Sequence, residues 1–113
     1  MLKQRRAAAM RVAESLFAAE EAIDAALARA AELTSTLVSA RTDAHLSAIV
    51  AQDAFEGAAA AVAALARARG DMVETHKRLS EAQVQIGLGA VAIGDLGKPT
   101  VAKEDGRRLQ IVA

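Results

Sequence analysis

The chain has no cysteine, no tryptophan and no tyrosine, and only one proline and two phenylalanines in 113 residues. Without cysteine there is no disulfide, no thiol nucleophile and no cysteine-ligated zinc. The two phenylalanines, Phe17 and Phe55, lie outside the basic first eleven residues, so base stacking is not on offer there. Positive and negative side chains balance at a formal net charge of zero, so bulk electrostatics steers the protein toward neither nucleic acid nor an anionic membrane. Long apolar runs are missing as well. The uncharged stretches Gly57–Ala66 and Val84–Gly94 fall well short of the roughly 20 residues that a membrane-spanning helix needs. The first residues are basic, but Arg11 interrupts the alanines before the apolar core of a secretory signal could form. A soluble cytoplasmic protein is the expectation.

What the chain does have is alanine, at about a quarter of all positions. Burying a leucine or phenylalanine stabilises by roughly 1.5–3 kcal/mol and a methyl group by far less, so the 53% hydrophobic content overstates the core. Alanine loses no side-chain entropy in a helix and lets backbones approach closely. Thin, long, close-packed helices follow, with a core shared between chains. Arginine outnumbers lysine ten to four, which together with the alanine is the composition of a GC-rich bacterial genome.

Met10 to Leu88 contains no proline, and its glycines before Gly87 are Gly57 and Gly70. Apolar residues recur through it at seven-residue spacing: Leu16, Ile23, Ala30 and Leu37, then Ala58, Leu65, Met72, Leu79 and Ile86. That period is the signature of helix packed on helix. The fold expected is all-α: a long antiparallel helical hairpin over residues 1–87, assembling as a four-helix bundle, with an irregular tail over 88–113. The tail is marked by Gly87, Gly89, Gly94, Gly97 and Pro99, and ends in a short apolar segment at Leu109, Ile111 and Val112.

Thr34, Ser35, Thr36, Ser39 and Thr42 compete for backbone hydrogen bonds, which places the helix–helix turn near residues 39–43. Asp53 and Glu56, at capping-box spacing, mark a second candidate turn at Asp53–Gly57. Gly70 followed by Asp71 and Glu74 reads as a C-cap and a new N-cap, giving a third helix from 71; a helix that simply tolerates Gly70 is the alternative. With a turn at residue 41, Leu16 faces Leu65 and Ala66, Ile23 faces Ala59, and Leu27 faces Phe55. Met72, Leu79 and Ile86 then project beyond the first helix, uncovered. Exposed apolar stripes are unusual on monomers. Leu65, Met72, His76, Leu79 and Ile86 are therefore the expected interface of a homo-oligomer, a dimer being favoured.

The residues that could carry chemistry are few. Glu20 and Glu21 are adjacent acids, but no glutamate has a histidine three residues later, the pattern a carboxylate-bridged metal pair requires, so a solvated acidic face is expected. His45 and His76 fall far apart in the hairpin and read as surface or seam residues, not ligands. Gly94–Thr100 fails as a phosphate loop: Pro99 separates Lys98 from Thr100, and Ala92 stands where the earlier glycine belongs. No serine–histidine–acid set converges. The chain is expected to be neither an enzyme nor a cofactor or metal carrier. Its expected function is oligomerisation, or action as an adaptor or scaffold for a protein partner, through apolar helix faces. The alternative is nucleic-acid or anionic-surface binding through Lys3, Arg5, Arg6 and Arg11, against which the zero net charge counts.

Overall fold

The computed structural model describes residues 1–87, which hold two α-helices and no strand. Helix α1 runs Leu2–Asp43 and α2 runs Gln52–Gln85. The tail over 88–113, its phosphate-loop likeness and its apolar end lie outside the described residues. The two helices form two compact units.

The unit Ala19–Val73 holds the later part of α1, the turn and the earlier part of α2. Ile23, Leu27, Ala30, Thr34 and Leu37 of α1 are half-buried, as are Phe55, Ala58, Val62, Leu65, Ala68 and Met72 of α2. Each set follows the three-four spacing of a helix seam. No residue of this unit is buried. Across the seam Arg69 Nε donates to Asp24 Oδ1 at 2.8 Å. Asp24 is thus level with Arg69, whereas a turn at residue 41 would have set Ala58 there.

The eight-residue turn over 44–51 explains the difference. The hydroxyls expected to break α1 are satisfied inside it. Thr34 Oγ1 donates to the Ala30 carbonyl at 2.9 Å, Ser39 Oγ to that of Ser35 at 3.3 Å, and Thr42 Oγ1 to that of Val38 at 3.0 Å. Such back-bonding one turn earlier leaves the helix intact. The signal at Asp53 and Glu56 does mark a helix start, but inside the first turn of α2: Asp53 Oδ1 accepts from the Ala54 amide at 2.9 Å, and Glu56 Oε2 accepts from Gln52 Nε2 at 3.1 Å.

The other unit joins Met1–Ala18 to the described residues from Glu74 to Gly87. It contains every buried residue described: Ala13 at 1% exposure, Leu16 at 5% and Gln83 at 3%. Phe17 packs against His76 with ring centroids 6.2 Å apart. At its open end Arg5 Nη1 donates to the Ile86 carbonyl at 3.2 Å. These pairs again run antiparallel, in a register displaced from the expected one, which would have put Leu65 level with Phe17.

Helix α2 passes through Gly70 without a break, so there is no third helix among the described residues. Its C-terminal glycine is Gly87 instead, with φ of 88° and its amide bonded to the Val84 carbonyl at 3.0 Å. A Cβ on Gly70 would meet nothing within 4 Å. Gly70→Ala is accordingly expected to stabilise the protein by about 1 kcal/mol, by removing backbone freedom from the unfolded chain. A urea midpoint that falls instead would show that the glycine serves a closer approach than these contacts contain.

Candidate functional site

The residues expected to form an uncovered overhang are not an overhang. Leu65 and Met72 are half-buried in the seam of the unit Ala19–Val73, and His76 and Leu79 are half-buried in the other unit, His76 against Phe17. Ile86 remains 43% exposed. The longer α1 covers positions that a shorter one would have left bare.

The basic N-terminus has an intramolecular role. Cations in the first turn of α1 oppose its dipole, and α1 has no acid there. The C-terminal turn of α2 in turn carries no cation of its own. Antiparallel packing brings the two together, so that Arg5 supplies a positive charge and a donor to the end of α2. Lys3, Arg6 and Arg11 are exposed.

Glu20 is half-buried, unlike the solvated face expected for it, and Glu21 is exposed. No group of three or more histidines, cysteines or acids among the described residues could hold a metal ion. No described helix is long and apolar enough to cross a membrane.

Two apolar surfaces remain. The first flanks the seam. In a two-helix coil the positions beside the seam are commonly charged. Here the residues beside the α1 seam include Met10, Val12, Phe17, Ala26, Leu33 and Val38, with Asp24 the charged exception. Beside the α2 seam stand Ala54, Ala59, Ala61, Ala66 and Val73, with Arg69, the partner of Asp24, the charged exception. Leu33 is 52% exposed and Val73 is 60% exposed.

The second is the turn itself. His45 has φ of 57°, its amide donates to the Thr42 carbonyl at 3.0 Å, and the Leu46 amide donates to that of Arg41 at 3.1 Å. These two bonds form the Schellman stop, in which a left-handed residue ends the helix. Arg41 Nη1 then donates to the Leu46 carbonyl at 3.2 Å and holds the exit. A side chain at this left-handed position is strained, so His45→Gly is expected to raise stability by about 0.5–1 kcal/mol, read as a higher melting temperature. The turn leads away through Leu46, Ile49 and Val50, of which Ile49 is 82% exposed. Leu37, Val38, Leu46, Val50 and Phe55 help to line a groove of about 390 Å³ beside it.

Sequence reasoning assigned Leu46–Ala51 to the second helix and so missed this groove. The uncharged run Ala44–Gln52, set between Asp43 and Asp53, was the available signal. Compared with protein families, curated proteins and solved structures, the chain matches none.

Proposed function

We propose that this chain is a non-enzymatic assembly or adaptor protein that works through apolar helix faces. Its simplest assembled form is a homodimer in which two hairpins make a four-helix bundle. The observation that carries the reading is the width of the apolar surface. A hairpin that only had to pack its two helices together would need one seam. Here the surface beside the seam is apolar on both helices apart from the Asp24–Arg69 pair, and the described residues bury only Ala13, Leu16 and Gln83. A second pair of helices packed there would bury the flanking leucine and valines and use the alanines for close approach. The alternative, phosphate binding by Lys3, Arg5, Arg6 and Arg11, has less support because Arg5 already serves α2.

Sedimentation equilibrium across the micromolar range tests the reading. A concentration-dependent dimer is the expected result. A monomer throughout that range would reject self-assembly.

A further inference from the structure

The turn of the unit Ala19–Val73 carries both a groove and an exposed side chain that takes no part in it. We propose that the groove receives the turn of a second copy of this chain, with Ile49 as the inserted residue. This contact lies on the turn, apart from the flanks of the seam, and does not depend on them.

Leu37, Val38, Leu46, Val50 and Phe55 help to line the groove, and Arg41 is its only charged lining residue. Its volume of about 390 Å³ falls within the range of about 300–1,000 Å³ typical of ligand pockets and is ample for an isoleucine. Of the large apolar residues in the turn, Leu46 and Val50 already line their own groove. Ile49 does not, and it is 82% exposed. His45 and Ala51, near the two ends of the turn, hold φ of 57° and 61°. Left-handed backbone at residues other than glycine is strained and persists where the surrounding structure enforces it, so Ile49 sits on a fixed turn.

Charge selects a second copy as the occupant. No acid, lysine or arginine occurs from Ala44 to Gln52, so an incoming turn carries no charge into the apolar groove. Asp43 and Asp53, both exposed, bracket that run. The groove they approach bears Arg41, whose bond to the Leu46 carbonyl occupies only one of the guanidinium's donors. Within one chain Arg41 and Asp43 stand at i and i+2 of α1 and do not face each other. Asp43 also ends α1, where the helix dipole is already negative and a cation is favourable. Two copies related by a twofold axis meet both needs, since each offers a turn and a groove. Only a few residues a side take part, against about 20–30 in a stable interface, so the contact is weak alone.

The absence of cysteine among the native residues makes the test clean. Two full-length single-cysteine forms, I49C and A40C, are mixed and oxidised, one of them tagged so that the mixed disulfide separates by size. Ala40 lines the groove. I49C mixed with V73C, an exposed position of the same unit outside the groove, is the control. The I49C–A40C product should form about tenfold faster or more, because docking raises the local concentration of one thiol at the other. D43K in both proteins should slow it to the rate of the control. Lysine suits a helix C-terminus, so lost helix would not explain that slowing, and circular dichroism should be unchanged. L33D in both proteins should leave the tenfold ratio in place. Equal rates for the two mixtures would overturn the proposal and give the groove to a different occupant. A fast product indifferent to D43K would overturn it too, as would a ratio abolished by L33D, which would make the contact a by-product of assembly on the seam flanks.

Discussion

Leu16→Ala is expected to lower stability by about 2–3 kcal/mol, the lower part of the range measured for leucine truncations in cores. Leu16 is 5% exposed and, with Ala13, is one of two buried apolar residues described. The other large apolar residues of the helices keep substantial contact with water, so their removal has less to undo. Small domains are stable by only about 5–15 kcal/mol, and a loss of this size would remove a large part of that margin. The measurement is a urea melt followed by circular dichroism, at one protein concentration for all variants, because assembly would add a concentration-dependent term. Leu33→Ala is the comparison. At 52% exposure Leu33 should cost about 1 kcal/mol or less in the isolated hairpin. Equal losses at the two positions would mean that stability is not concentrated near Leu16.

The second large effect concerns assembly. Leu33→Asp is expected to weaken self-association by about a hundredfold or more, equivalent to about 3 kcal/mol. The reasoning counts the change twice, since a symmetric dimer carries it on both subunits. Each subunit would lose the burial of the exposed half of a leucine and gain a carboxylate that must be desolvated. Helix content should stay nearly unchanged, because Leu33 is outside the seam and half in water already. Sedimentation of wild type and variant side by side reads the effect. A dimer that tolerates the aspartate would place the contact on another face. Loss of helix with loss of dimer would instead make folding and assembly one event.

The helices themselves were legible in the sequence, and their continuity less so. Apolar residues at seven-residue intervals, with alanine, arginine and glutamate largely filling the positions between, specify helix locally, and α1 and α2 follow. Thr34, Ser39 and Thr42 were ambiguous because a hydroxyl can either cap a new helix or bond back to the previous turn. Nothing local distinguishes these outcomes, and in the fold all three bond back. Gly70 was ambiguous for a related reason. A glycine can end a helix or merely weaken it, and α2 continues through it.

The error in the turn spread to the site. Placing the bend near residue 41 shifted every facing pair and made Met72, Leu79 and Ile86 look bare. Once Asp24 is level with Arg69 and Phe17 with His76, those positions have α1 beside them. The turn's own groove was missed because Leu46, Ile49 and Val50 read equally well as one face of a helix, which left the uncharged run Ala44–Gln52 as its one sequence signal.

By itself the sequence determined that this protein is built of helices, that it has no thiol or disulfide chemistry, and that its apolar surface is made mostly of methyl groups. These properties depend on residue type and on neighbours within one helical turn. Tertiary structure alone decided where the chain reverses, which residues therefore face each other, and that the basic start of α1 serves the end of α2. Those depend on the summed packing of two long helices. A seven-residue repeat is nearly unchanged when one helix slides past the other by whole turns, so the repeat could not select the register.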